Sequence, residues 1–169
     1  MIMHLENIEA TILVGGRGSR LRSVVSDRPK VLASVKGRPF IYFLLDQLYD
    51  VGIRKILLCT GYMAQNVEET VGYKYRSLDI RYSRESKPLG TGGALALAGT
   101  LLNSEWIIVS NGDSFIDIDY VKYMSWHHNK AALISVVVTS VDDASRYGSV
   151  VITPDGEITK FLEKPKSSV

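Results

Sequence analysis

Apolar and polar positions run in short blocks along this chain, and the period of the blocks changes. "EATILVGG" (9–16) is a short, mostly apolar run that stops at glycines, the pattern of a buried strand leading into a loop. "PFIYFLLDQLYDVG" (39–52) opens on a proline and closes on a glycine. Within it Phe40, Phe43, Leu44 and Leu48 recur at helical spacing, which predicts a helix. "IRKILLCTGY" (53–62) reads as a second strand ending at a glycine, and "AQNVEETVG" (64–72) as a short helix. "DIRYSRE" (79–85) alternates as a strand until Lys87-Pro88-Leu89-Gly90 breaks it. "TGGALALAGTLL" (91–102) is a helix of small residues, and "EWIIVSNGD" (105–113) a strand. Asp119 is placed to cap a helix running through Met124 to His128. "AALISVVVT" (131–139) is the most strand-like run of all. "YGSVVITPDGEITKFLEKP" (147–165) predicts a hairpin turning at Pro154-Asp155-Gly156.

Strand–helix alternation to about residue 138 predicts an α/β fold, a Rossmann-like, mostly parallel sheet with helices on both faces, to which the C-terminal antiparallel hairpin is added. In such sheets ligands bind beyond the carboxyl ends of the strands. The glycines at 15–18, the 88–93 stretch and Asp113 all follow strands, so the topology gathers them on one edge.

Composition narrows the picture. The chain has 169 residues, 46% hydrophobic and 22% charged, enough for one domain with a core and no visible linker or repeat. A net charge of +2, with both signs interspersed, disfavours a nucleic-acid partner. Cys59 is the only cysteine, which excludes an internal disulfide and fits a reducing compartment. The N-terminus lacks the pattern of a signal peptide, and no apolar run approaches the ~20 residues of a membrane span. A cytoplasmic protein without a membrane partner is expected.

Candidate chemistry starts at "LVGGRGSRL" (13–21), followed by "RPKVL" (28–32). Glycines let backbone N–H groups approach an anion closely, and a glycine-rich loop after a first strand usually means phosphate. Two familiar spacings fail. The dinucleotide fingerprint started at Gly16 needs glycine where Leu21 stands, and the P-loop started at Gly15 meets Arg20. Taken alone the loop also reads as a tight strand–helix turn with solvated arginines, "SNGDS" as an Asn-Gly hairpin, and "EKP" as a solvated hairpin end.

The joint order is more specific. "GGRGSRL…RPKVL", "PLGTGGAL" (88–95), "NGD" (111–113), "RYG" (146–148) and "EKP" (163–165) together resemble the signature of the sugar nucleotidyltransferases. Val14, Ser19 and Val31 depart from its usual alanine, threonine and proline. The resemblance implies a glycosyltransferase-A-like fold and transfer of a nucleoside monophosphate to a sugar 1-phosphate, with Mg²⁺ and release of pyrophosphate. It implies that the backbone of Gly15, Gly16 and Gly18, with Leu13, Gly90 and Thr91, holds the nucleotide. Arg20 is expected on the leaving pyrophosphate, Lys30 on the α-phosphate and Asp113 on the metal. Gly148, Glu163 and Lys164 match positions that hold the sugar phosphate.

The chemistry is consistent with the residues. A sugar 1-phosphate has a second pKa near ~6, so it is mostly a dianion at neutral pH and needs no general base. What it needs is charge neutralisation and alignment.

Glu85 precedes the "PLGTGGAL" loop, a region that faces the base in the resembling family. A carboxylate only accepts hydrogen bonds, and guanine alone offers two adjacent donors, so GTP is the expected nucleotide if Glu85 reads the base. The other reading is a surface glutamate paired with Arg81, Arg84 or Lys87. Within the family "SVVSDRPK", "ESKPLGTGGAL", "NGDSFIDID" and "RYGSV" most resemble the D-glycero-D-manno-heptose 1-phosphate guanylyltransferases. Mannose 1-phosphate guanylylation and uridylyl or thymidylyl transfer stand as alternatives. Members of the family run well beyond the EKP segment, with a sugar-facing strand, a second metal carboxylate and often homo-oligomer contacts. The expectation is one nucleotidyltransferase domain, 1–169, lacking that portion: a shortened enzyme or a nucleotide-binding module. Adjacent His127 and His128, Cys59, and Tyr73, Tyr75 and Tyr82 are assigned no site role.

Overall fold

Glu9–Leu13 (β1) pairs in parallel with two later strands, and everything at the site follows from that central position. After it come a short ribbon of β2 (Ser34–Val35) and β3 (Arg38–Pro39), helix α1 (Ile41–Asp50), β4 (Lys55–Thr60) and α2 (Ala64–Val71). Then follow β5 (Lys74–Tyr75), β6 (Leu78–Arg84), α3 (Gly90–Gly99), β7 (Ile107–Asn111) and α4 (Tyr120–Asn129). The hairpin of β8 (Ser149–Ile152) and β9 (Ile158–Leu162) comes last. The structure is a computed structural model that describes residues 5–16, 28–143 and 147–163. It divides into two compact units, Met1–Ala131 and Ala132–Val169.

The sheet of the first unit has the order β5-β6-β4-β1-β7. Its β1, β4, β6 and β7 are parallel, and two-residue β5 is an antiparallel edge. The chain steps outward from β1 to β4 to β6, then returns to the other side of β1 as β7. That reversal creates a switch point between β1 and β7, where ligands of open α/β sheets bind.

Period-2 alternation sends successive side chains of each strand to opposite faces. Ala10 and Ile12 of β1, Ile56 and Leu58 of β4, and Leu78 and Ile80 of β6 face α1, α2 and α4. Leu57 and Cys59 of β4 face α3 through Ala98, with Leu13, Ala94 and Leu102 beside them. In α1 the buried stripe is Ile41, Leu44, Leu45 and Leu48; Phe40 and Phe43 sit half-buried at its margin. Asp119 caps α4 as expected, its carboxylate accepting from Lys122 N–H at 2.9 Å. Residues 114–119 form no strand, so β7 does not continue into an Asn-Gly hairpin. Among the described residues, no helix is long and apolar enough to cross a membrane.

In the second unit β8 and β9 are antiparallel, with Ser149 opposite Leu162. The turn closes through Gly156, at φ +87°, whose N–H donates to Thr153 O at 2.9 Å. One expectation fails here. Residues 131–139 form no strand, although their composition is the most strand-like of the chain. A strand requires a partner for its N–H and C=O groups. None of the described residues pairs with this run, and Leu133 and Ile134 stand 100% and 82% exposed. β-propensity measures fit to a half-buried pleated surface, and without that surface it has no effect.

Candidate active site

The site assembles where β1, β4, β6 and β7 end side by side. Val14 N–H donates to Cys59 O at 2.9 Å, and Gly112 N–H donates to Leu13 O at 2.9 Å. These two bonds hold the start of the glycine loop between the ends of β4 and β7. The approach of β7 is close. A Cβ on Gly112 would lie 2.6 Å from Val14 Cγ1 and 2.9 Å from both Leu13 O and Val31 Cγ1. Gly112 therefore gives the turn the room to place Asp113 beside Lys30.

Lys30 opens a short 3-10 turn, Lys30–Leu32, anchored by buried Val31 and Leu32. Its ammonium donates to Asp113 Oδ2 at 2.7 Å, across 83 positions of sequence. Ser114 Oγ donates to the other carboxylate oxygen at 3.3 Å. The hydrogen bond from Lys30 leads in holding the Asp113 carboxyl below its ordinary range, against some desolvation. Asp113 is thus an anion at neutral pH, about 41% exposed, paired but reachable.

Glu85 follows β6, its N–H donating to Thr60 O at 2.9 Å. Its Oε2 accepts from Leu89 N–H at 3.1 Å, just before α3. Arg81 is bound to Glu9, and Arg84 to Glu68 at 2.7 Å. Among the described residues no ion pair joins Lys87 to Glu85. The pairing with neighbouring cations that sequence left open is therefore not formed. Cys59 lies beneath the site, and burial, with the Glu85 charge behind it, pushes its thiol up to about 11. It is a packed residue, not a nucleophile.

One cavity of about 490 Å³ joins these groups. It is lined by Leu13, Gly15 and Gly16 from the first strand end, by Lys30 and Asp113, and by Glu85, Gly90 and Thr91. Its volume suits a nucleotide-sized ligand. Gly18 and Arg20 lie outside the described residues, as does Lys164. Gly148 and Glu163 belong to the second unit, where the register puts both at the open end of the hairpin, next to Ser149 and Leu162. The cavity also takes Gly61 and Tyr62 from the end of β4, which sequence reasoning passed over. The available signal was a second strand that, like the first, stops at a glycine. Among the described residues no group of three or more His, Cys, Asp or Glu side chains is placed to hold a metal ion.

A protein-family profile described as nucleotidyl transferase matches residues 9–169. The D-glycero-alpha-D-manno-heptose 1-phosphate guanylyltransferase of Aneurinibacillus thermoaerophilus is 38% identical over 157 residues, 93% of this chain and 68% of that protein. The mannose-1-phosphate guanylyltransferase catalytic subunit beta of Drosophila melanogaster is 37% identical over 164 residues, 95% of this chain and 44% of that protein. Among solved structures, HddC from Yersinia pseudotuberculosis complexed with GMP-PN superposes with a TM-score of 0.79 at 34% identity, covering 94% of this chain and 70% of that one. The chain thus spans about two thirds of the heptose relative and less than half of the mannose relative.

Proposed function

The chain belongs to the nucleotidyl transferase family, and from that premise we propose that it transfers GMP from GTP to a sugar 1-phosphate, releasing pyrophosphate, with D-glycero-D-manno-heptose 1-phosphate as the sugar. The observation that carries this reading is that one cavity is lined both by the Lys30–Asp113 pair, beyond the end of β7, and by the Glu85 carboxylate, beyond the end of β6. The phosphate of the sugar is the nucleophile and brings its own charge, so no base is required. Lys30 neutralises the phosphate under attack, where a fixed cation contributes most. Leu13, Gly15, Gly16, Gly90 and Thr91 shape the walls that orient the nucleotide.

One half-exposed carboxylate fits Mg²⁺, which commonly takes one or two carboxylates and completes its shell with water and substrate phosphates. Asp113 would hold it. When bound, the ion supplies charge neutralisation to the phosphates of the nucleotide. Arg20 on the pyrophosphate and Gly148, Glu163 and Lys164 on the sugar phosphate complete the assignment. We place the reaction in the cytoplasm.

Glu85 selects the base. Its Oε1 makes no hydrogen bond within the described chain, and Oε2 retains a second acceptor site beyond Leu89. Guanine N1–H and N2–H match these acceptors. The test is a titration of GTP, inosine triphosphate, UTP, dTTP, CTP and ATP with Mg²⁺ into wild type and Glu85→Gln. The amide would set an NH₂ donor against a guanine donor, at about 1–3 kcal/mol, or roughly 5- to 150-fold in GTP affinity. Inosine triphosphate should bind wild type more weakly than GTP. Equal GTP affinity in the two proteins would remove Glu85 from base recognition. The 37% identity to a mannose-1-phosphate guanylyltransferase favours mannose 1-phosphate as the second reading of the sugar. A turnover comparison of the two sugar phosphates decides between them.

A further inference from the structure

We propose that Gly61 is a specificity-positioning residue: its missing side chain is what allows the Glu85 carboxylate to stand where it can read the base. The proposal rests on the guanine reading of Glu85 given above. Gly61 is not a glycine for conformational reasons. Gly37, Gly52, Gly72, Gly90 and Gly156 hold left-handed φ values, and Gly61 is not among them, so alanine could adopt its backbone.

What alanine could not find is space. A Cβ on Gly61 would lie 2.5 Å from Glu85 Oε1, 2.8 Å from its Cγ and 3.1 Å from its Cδ. Three atoms of one side chain occupy the volume. Gly15 bounds the same oxygen from the first strand end, since a Cβ there would lie 3.2 Å from Oε1. Leu89 N–H holds the other oxygen at 3.1 Å. The carboxylate is thus framed by two bare stretches of backbone and one amide donor. Gly15 and Gly61 line the cavity together with Glu85 itself.

When a methyl group is added at Gly61, either the backbone or the glutamate must move. The backbone is tied on both sides. Gly61 O accepts from Ala64 N–H at 3.2 Å at the start of α2, and Tyr62 N–H donates to Gly15 O at 3.4 Å. Glu85 turns about three single bonds and is half-buried, so the glutamate yields. Its carboxylate leaves both the Leu89 amide and the base. Gly61→Ala therefore acts as a partial loss of Glu85 without touching the triphosphate.

The experiment is a double-mutant cycle on the full 169-residue chain with Gly61→Ala, Glu85→Ala and the double variant. GTP and UTP affinities are measured with Mg²⁺, and the Leu89 amide proton shift is followed by NMR without nucleotide. Gly61→Ala should weaken GTP by about tenfold or more, the range for losing hydrogen bonds to a charged acceptor, and leave UTP within about twofold. Its Leu89 resonance should move toward the Glu85→Ala position. In the Glu85→Ala background the same methyl group meets no side chain, so Gly61→Ala should change GTP affinity no further. Should Gly61→Ala fold poorly, the double variant should recover the melting temperature, because the colliding atoms are gone.

An equal loss of GTP affinity in both backgrounds, an unmoved Leu89 amide, or a double variant as unstable as Gly61→Ala would overturn the proposal. If Glu85→Ala leaves GTP affinity unchanged, the guanine reading fails instead. A displaced Leu89 amide in Gly61→Ala would then still support the placement of the carboxylate.

Discussion

Replacing Lys30 by alanine separates what this side chain does for the fold from what it does for the reaction. Its ammonium lies 2.7 Å from Asp113 Oδ2, with the two side chains 35% and 41% exposed. Water screens a pair at that exposure, so its contribution to stability is that of a surface ion pair, about 0.2–1 kcal/mol. The turn that carries Lys30 is anchored by buried Val31 and Leu32, which the substitution leaves alone. Asp113 stays solvated without its partner, so no buried charge is stranded. In a domain of this size 1 kcal/mol moves the melting midpoint by about 2–4 °C. The reaction loses more. A cation at the phosphate under attack acts where charge redistributes, and removal of one such group costs roughly 10²–10³ in turnover, about 2.7–4 kcal/mol. If Lys30 stands at that phosphate as proposed, the interaction is made mainly in the transition state, and kcat should fall much further than KM rises. The assay is pyrophosphate release from GTP and heptose 1-phosphate, run beside thermal unfolding. A midpoint lowered by about 10 °C or more, several times the surface-pair expectation, would make Lys30 structural. An unchanged kcat with weaker GTP binding would move it off the reacting phosphate.

Two further substitutions test the frame around the site. Buried Glu9 accepts from Asn103 N–H at 2.6 Å and Ser104 N–H at 2.9 Å and is paired with Arg81, so Glu9→Gln should cost about 1.5–3 kcal/mol in urea unfolding at pH 7. Burial raises the Glu9 pKa, but the two backbone donors and Arg81 outweigh it and hold the group below its ordinary 4.5. A depressed carboxylate contributes stability that is complete above the unfolded value and is lost as pH falls through the folded one. Wild type should therefore weaken below about pH 4.5 more steeply than Glu9→Gln, and identical acid slopes would refute the assignment. Gly112→Ala puts a methyl group 2.9 Å from Leu13 O, a backbone atom that cannot rotate aside, so it should destabilise by about 1–3 kcal/mol. The same shift should displace Asp113 and weaken Mg²⁺-dependent GTP binding, and normal stability with normal binding would show that the turn has slack.

What was legible in the sequence depended on whether local pattern or long-range pairing decided the matter. The helix at 41–50 and the hairpin at 149–162 could be read because periodicity and turn residues act within a few positions. Asp119 could be read as a cap because its partner, Lys122 N–H, lies three residues away. The run at 131–139 misled because strand formation is settled by a partner elsewhere, which composition does not reveal. The fate of Glu85 was open for the same reason. Arg81 is claimed by Glu9, 72 positions away, and Arg84 by Glu68 on α2. Only the fold shows that these neighbouring cations are occupied. The contact of Lys30 with Asp113 spans 83 positions and rests on the order of β1 and β7, which alternation alone does not give.

Glycine carried two meanings that sequence does not separate. Glycines after a first strand read as conformational freedom and as backbone laid bare to an anion. Gly15, Gly61 and Gly112 need no left-handed φ, yet a side chain on any of them would meet a neighbour. Each sits at the end of a different parallel strand: β1, β4 and β7. Parallel neighbours lie only about 4.8 Å apart, so side chains leaving adjacent strand ends compete for one small volume. Bare positions at three ends leave that volume to the carboxylates that follow the strands, Glu85 after β6 and Asp113 after β7. Gly15 and Gly61 make room for Glu85, while Gly112 brings the turn before Asp113 against Val14 and Val31. The dinucleotide fingerprint and the P-loop pattern count glycines along one loop. Of Gly15, Gly61 and Gly112, the last two lie on other loops, so neither spacing could have found them.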